Sequence, residues 1–173
     1  VLENVSANAT VSGNVNAIGG LIGLLSDSIV SHAFVSGNSA NVSSGALATE
    51  TGGFVGVMTD ASSISNAYSS GNVSGYAYTG GFVGAIKGAS MLMNAYAFAA
   101  VSCLSSPCAG MVATIMGEST LNNVYATNYV TNNIVVDPSD STGEPNGEGS
   151  DGVNDGSAPS SDEPPTGEGN GSD

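Results

Sequence analysis

The carboxylates best spaced to act together are Asp27 and Asp60. Each stands seven residues after an equivalent glycine, Gly20 and Gly53, so stacked repeats would bring them about 5 Å apart. Glycoside hydrolysis needs two neighbouring carboxylates. A lyase needs a cationic base, usually with calcium held by clustered carboxylates. The third repeat has Gly88 at the same place, and Lys87 is the single Lys or Arg in the chain. The pair therefore grows into no larger cluster. The plainer reading is a turn aspartate bonding its own backbone.

His32 is the only histidine. It has no second His and no nearby Cys, which argues against a metal site. Nothing around any Ser resembles a nucleophile elbow. We expect no catalytic residue, no cofactor, no metal ligand and no enzymatic activity. Cys103 and Cys108 enclose Leu-Ser-Ser-Pro, a turn that brings two such residues to bridging distance and suits an oxidising compartment. Reduced thiols are the alternative. A bridge over so short a loop shapes a turn more than it stabilises the chain. N-glycosylation acceptor patterns begin at Asn4, Asn8, Asn41, Asn72 and Asn170. They matter only in a eukaryotic surface protein, where Asn41, in a stretched loop, is the first choice.

The elements that must position these residues are repeats. Gly19-Gly20-Leu21-Ile22-Gly23 returns as Gly52-Gly53-Phe54-Val55-Gly56 and Gly80-Gly81-Phe82-Val83-Gly84, and in eroded form as Ala109-Gly110-Met111-Val112-Ala113. The starts lie 33, 28 and 29 residues apart. A second phrase keeps step: Ser31-His32-Ala33-Phe34, Ser65-Asn66-Ala67-Tyr68, Met93-Asn94-Ala95-Tyr96 and Asn122-Asn123-Val124-Tyr125. Two phrases sharing one period mark a unit that stacks on copies of itself. Each unit reads as three short strands separated by turn formers, and no apolar stripe of helical period persists.

Hairpins would not require identity position by position; parallel coils would. Coiling places Phe54 over Phe82, and Phe34, Tyr68, Tyr96 and Tyr125 in one column about 4.8 Å apart. Asn66, Asn94 and Asn123 then share amide hydrogen bonds, and His32 replaces one member. Gly20, Gly53, Gly81 and Gly110 fall at corners where a side chain would strike the next coil. The fold class is all-β, a short parallel β-helix of four to five coils, roughly 20 Å tall by that spacing. Asn4 to Val15 reads as the end of a preceding coil. The 33-residue spacing places one protruding loop within Asn38 to Thr51, at the same corner as the cysteine turn.

Composition divides the chain at Val136. Residues 1–136 form the repeat domain, and residues 137–173 carry ten of the 15 acids, five of the six prolines and no base. That tail cannot bury enough apolar surface to offset ordering, so a disordered linker is expected. A net charge of −14 with one base argues against nucleic acid and anionic lipid. Gly88 to Gly117 is uncharged but holds Ser90, Asn94, Ser102 and Pro107 in repeat register, so no membrane span is expected. No signal peptide is readable, and Val1 reads as the start of a processed chain or an excised fragment. No capping helix is visible, which suggests a longer array or end-to-end docking of copies.

Residues 52–56 and 64–75, Gly-Gly-Phe-Val-Gly then Ile-Ser-Asn-Ala-Tyr-Ser-Ser-Gly-Asn-Val-Ser-Gly, closely resemble the GLUG motif of large bacterial surface proteins. These include filamentous-haemagglutinin-like adhesins and non-catalytic regions of some immunoglobulin A peptidases; the motif also occurs in some eukaryotic surface proteins. The resemblance spans about residues 19 to 128. The fourth copy departs from it at Ala109 and Ala113, and the first at His32-Ala33-Phe34. It implies an extracellular or cell-surface, β-helical repeat region with no catalytic residues to carry over. The expectation is a structural or adhesive segment, whose partners are neighbouring repeats of a parent protein or copies stacked end to end. A cell-surface glycan or protein is the further partner considered, with Tyr76, Tyr78, Tyr125 and Tyr129 as stacking surfaces for a glycan.

Overall fold

The computed structural model describes residues 1–37, 41–105, 107–127 and 129–131. The expected acidic tail, 137–173, with the acceptor pattern at Asn170, lies outside them. A partial coil opens the chain with β1 (Leu2–Glu3), β2 (Ser6–Ala7), β3 (Val11–Gly13) and β4 (Ile18–Gly19). The first complete turn is β5 (Ile22–Ser26), β6 (Ile29–Val35), β7 (Val42–Ser44) and β8 (Thr51–Gly52). The next is β9 (Val55–Thr59), β10 (Ser63–Ser70), β11 (Val73–Gly75) and β12 (Thr79–Gly80). A third is β13 (Val83–Lys87), β14 (Met91–Phe98), β15 (Ala100–Cys103) and β16 (Cys108–Ala109). The last described strands are β17 (Val112–Met116), β18 (Thr120–Ala126) and β19 (Tyr129–Thr131).

Every pairing is parallel and joins a strand to its equivalent one coil away. Four sheets result: β1 and β2 with β6-β10-β14-β18, then β3-β7-β11-β15-β19, β4-β8-β12-β16 and β5-β9-β13-β17. The described chain is a parallel β-solenoid of about four turns. The opening residues are indeed the end of a preceding coil, with Val11 paired to Val42 and Val42 to Val73.

Each turn carries four strands rather than the three expected from sequence. The additional one is a two-residue strand such as Thr79–Gly80, too short to show any alternation. The five extra residues of the first spacing are also divided. Six residues separate Val35 from Val42 where three separate Ser69 from Val73, and six separate Ser44 from Thr51 where three separate Gly75 from Thr79. The turn before Ile29 is one residue shorter than its equivalent before Ser63. Two corners beside β7 absorb the insertion, not one loop; residues 38–40 lie outside the described set.

The larger core lies between the β6-containing and β5-containing sheets. Phe54 and Phe82 are fully buried and stack with centroids 4.6 Å apart and planes 6° from parallel. Val55 and Val83 pair directly, as do Ile64 and Leu92. A smaller core gathers Val42, Val73 and Val101 with Ile18, Ala48 and Ala99. Buried Ser69, in β10, donates its hydroxyl to the carbonyl of Gly81, between β12 and β13, at 2.7 Å, which satisfies a polar group inside the column.

Candidate functional site

The columns on the outer face of the β6-containing sheet are where distinctive side chains gather. Asn66, Asn94 and Asn123 all have left-handed backbone, φ 52°, 48° and 54°. Asparagine tolerates that region better than most residues. One left-handed residue inside a strand resets the alternation: Ile64 points in, Asn66 out, and then Ala67 and Ser69 point in. The exposed amides join. Asn94 Nδ2 donates to Asn66 Oδ1 at 3.1 Å, and Asn123 Nδ2 donates to Asn94 Oδ1 at 2.7 Å.

His32 occupies the same column with φ 50°. Its Nδ1 lies 3.7 Å from Glu3 Oε1, and both side chains are exposed. Sequence reasoning missed a fifth rung. Asn4 has φ 56° and follows Glu3, which pairs with Ser31, so Asn4 sits beneath His32. A strand interrupted at that point, β1 then β2, hides the likeness in the text.

Two residues along runs the aromatic column. Phe34, Tyr68, Tyr96 and Tyr125 pair in sequence across four coils. They are 37, 40, 40 and 56 % exposed. Phe34 and Tyr68 stack at 5.1 Å with planes 1° from parallel. Tyr96 Oη lies 2.9 Å from Thr127 Oγ1. The ring column and the amide column together form a neutral, hydrogen-bonding stripe along the solenoid axis. Among the other tyrosines suggested for glycan stacking, Tyr76 is 38 % exposed and Tyr78 half-buried with φ 43°; the side chain of Tyr129 lies outside the described set.

The Asp27–Asp60 idea gives way to a conformational one. Asp27, Asp60, Gly88 and Gly117 fill one corner on successive coils with φ 45°, 55°, 75° and 92°. The corner demands a left-handed residue, and Asp or Gly supplies it. Asp60 does not bond locally as expected but across coils, accepting from Ser26 Oγ at 2.7 Å. Lys87 is not alone either. Its Nζ lies 3.0 Å from Glu50 Oε1, and Glu50 also accepts from Thr49 Oγ1. No group of three or more potential metal ligands occurs among the described residues.

At Gly20 and Gly53 a side chain would strike the next coil. A Cβ on Gly20 would meet the Gly53 carbonyl oxygen at 2.2 Å, and one on Gly53 would meet the Gly81 oxygen at 2.2 Å. Gly110 continues the column above Gly81, next to the Ala109 that pairs with Gly80. Gly20 and Gly53 serve close approach rather than unusual φ.

Cys103 and Cys108 are disulfide-bonded, with Cα atoms 6.1 Å apart. Both are buried although Leu104 between them is 81 % exposed. Cys103 pairs with Gly75 and Cys108 with Thr79, so the bridge closes the same corner as residues 45–50. Of the acceptor asparagines, Asn4, Asn8 and Asn72 are exposed. Asn41 is half-buried, and its Oδ1 accepts the Asn72 backbone N–H at 3.0 Å. That reverses the preference for Asn41.

No family model, no curated protein and no solved structure matches this chain. The likeness to the GLUG motif rests on the repeat phrase alone. No helix among the described residues is long and apolar enough to cross a membrane.

Proposed function

We propose that the chain is a non-catalytic structural and adhesive repeat segment of an extracellular surface protein. The observation that carries this is the residue-for-residue register of four parallel sheets, which aligns amide and aromatic columns along one axis. Such a column resists bending because each coil rests on its neighbour over its whole cross-section. The neutral stripe of Asn, Phe and Tyr offers hydrogen bonds and apolar area without charge, a chemistry enriched at protein contacts. A buried disulfide suits an oxidising compartment, and the GLUG resemblance points the same way.

A glycan-binding module is a weaker reading. Sugars stack on ring faces, and Phe34 and Tyr68 turn a face on each other. The test is bead adhesion under flow. Beads coated with the full chain are passed over surfaces bearing glycans and extracellular-matrix proteins, alongside a reducing-sugar assay. Shear-resistant attachment that falls at least five-fold in Y68S/Y96S/Y125S supports the reading. Absent attachment on every surface, or sugar release, overturns it.

A further inference from the structure

The outer face of the β6-containing sheet is complementary to itself, and we propose that the partner of the adhesive stripe is the same face of a second copy. The proposal rests on the adhesive reading above and names what the stripe adheres to. Outward side chains keep one order along each strand. In β14 they are Met91, Met93, Asn94, Tyr96 and Phe98, and in β10 they are Ser63, Ser65, Asn66, Tyr68 and Ser70. In β18, Thr120, Asn122, Asn123 and Tyr125 continue the rows. Thr127 completes them, its N–H bonded to the Ala97 carbonyl at 3.0 Å.

The face is apolar beyond what a lone molecule needs. Met91 and Phe98 are 39 and 61 % exposed, and Ile29, Phe34 and three tyrosines share the face with them. At roughly 200 Å² for a large side chain, their exposed fractions leave about 650 Å², beyond the roughly 300–600 Å² of the largest patch on an ordinary monomer. Charge selects the occupant. Among the described acids only Glu3 stands on this face. Asp27, Asp60 and Glu118 lie in the corner before its strands, and Glu50 is held by Lys87. A chain of net charge −14 can therefore meet its own copy here without opposing rows of carboxylates. Residues 137–173 hold one aliphatic side chain larger than alanine, Val153, and bring little apolar area to cover the face.

The order of the rows fixes the geometry. A two-fold axis between the sheets, parallel to the solenoid axis, keeps coils level and reverses the strands. Met91 then faces Phe98 of the second copy, Met93 faces Tyr96, and Asn94 lies at the axis. One coil below, Ser63 faces Ser70; one above, Thr120 faces Thr127. The outermost rows match in polarity at each of these levels, and sulfur meets ring twice. Only Ile29, which meets Ser36, breaks the match. Beyond its two column bonds Asn94 keeps one N–H and one lone pair to share across the axis. A two-fold parallel to the strands reverses the coils instead. With the four long strands overlaid, it sets Met91 and Phe98 on Ser63 and Ser70.

An isologous contact of this kind closes as a dimer. Four strands of seven or eight residues make a face of roughly 500 Å². Two such faces bury about 1,000 Å², near the lower bound for a specific contact. Single pairs are therefore weak, and arrays on a surface hold by multivalency.

The test uses the full chain near neutral pH and at 0.15 M salt, where charge is screened beyond about 8 Å. Sedimentation velocity should show a reversible dimer with a midpoint on the order of 100 µM, and beads coated with the chain should cluster with one another. Phe98→Glu sets a carboxylate against Met91 of the second copy. It should leave the circular dichroism unchanged and weaken the dimer at least ten-fold. Met91→Cys with Phe98→Cys should give a covalent dimer on oxidation. Phe98→Cys alone should not, since its two copies lie about 20 Å apart across the axis. A wild-type chain that stays monomeric at several hundred micromolar overturns the proposal, as does a Phe98→Glu chain that dimerises like wild type. Should Phe98→Glu fail to fold, the cysteine pair decides, and an M91C/F98C chain that forms no covalent dimer overturns the pairing. Beads that ignore one another yet hold to a glycan or matrix surface overturn it while the adhesive reading stands; beads that hold to nothing overturn both.

Discussion

Asn94 donates its side-chain amide to Asn66 at 3.1 Å while both residues hold left-handed backbone. Two physical demands meet at this position, and substitutions separate them. Asn94→Ala loses the bonds to Asn66 and Asn123 and places a Cβ residue with poor tolerance for positive φ. Asn94→Gly loses the same bonds but meets no backbone penalty. A left-handed conformation costs an ordinary residue about 1–2 kcal/mol. Urea unfolding should find Ala less stable than Gly by about 1 kcal/mol, with both below the wild type. Equal losses would show that the amide bonds alone set the column.

The glycine corners respond to contact rather than conformation. A Cβ on Gly53 falls 2.2 Å from the Gly81 carbonyl oxygen of the next coil, and backbone cannot step aside as a flexible side chain does. Gly53→Ala should cost about 2–4 kcal/mol, or prevent folding. Gly117→Ala, at φ 92° with its nearest neighbour at 3.2 Å, should cost about 1–2 kcal/mol. Thermal melts of the two variants compare the effects directly. A milder Gly53 variant would contradict the close stacking of coils.

Much of this fold was legible because stacking demands identity. Phe54 over Phe82 and Tyr68 over Tyr96 could be written down from the period alone. What was not legible depends on features that leave no periodic trace. The two-residue strand Thr79–Gly80 is shorter than any alternation, and the insertion beside β7 is shared between two corners that the text joins. The spacing of Asp27 and Asp60 showed a turn, but only the row Asp-Asp-Gly-Gly shows that the turn requires left-handed backbone. The Lys87–Glu50 pair spans 37 residues of sequence, and no local pattern announces it. The disulfide was legible as a turn, but its burial was not.

The aromatic columns differ by burial. Phe82 is fully enclosed and Tyr96 is 40 % exposed. Phe82→Ala should cost about 3–5 kcal/mol through cavity formation. Tyr96→Ala loses the packing of a part-exposed side chain and one exposed hydroxyl bond to Thr127, and should cost about 1 kcal/mol. Chemical denaturation of both checks the ordering. A larger loss at Tyr96 would place that ring in a core rather than on the outer stripe.

The cysteine bridge closes a short loop, so loop-closure entropy limits its contribution to about 2 kcal/mol. Cys103→Ser with Cys108→Ser should therefore fold, with a midpoint lowered by no more than that. Because both sulfurs are buried in the wild type, native chain should resist thiol labelling after mild reductant and react fully in denaturant. Rapid labelling of native chain would place the bridge at the surface.

The vertical alignment of equivalent rows is tested most directly by nuclear Overhauser contacts in the isotope-labelled full chain. Ser65 should be seen beside Met93, and Tyr68 beside Tyr96, through the amide and side-chain contacts of parallel strands. Close Hα–Hα contacts between successive strands, the mark of antiparallel pairing, or Tyr68 and Tyr96 on separate faces would contradict the column and everything built upon it.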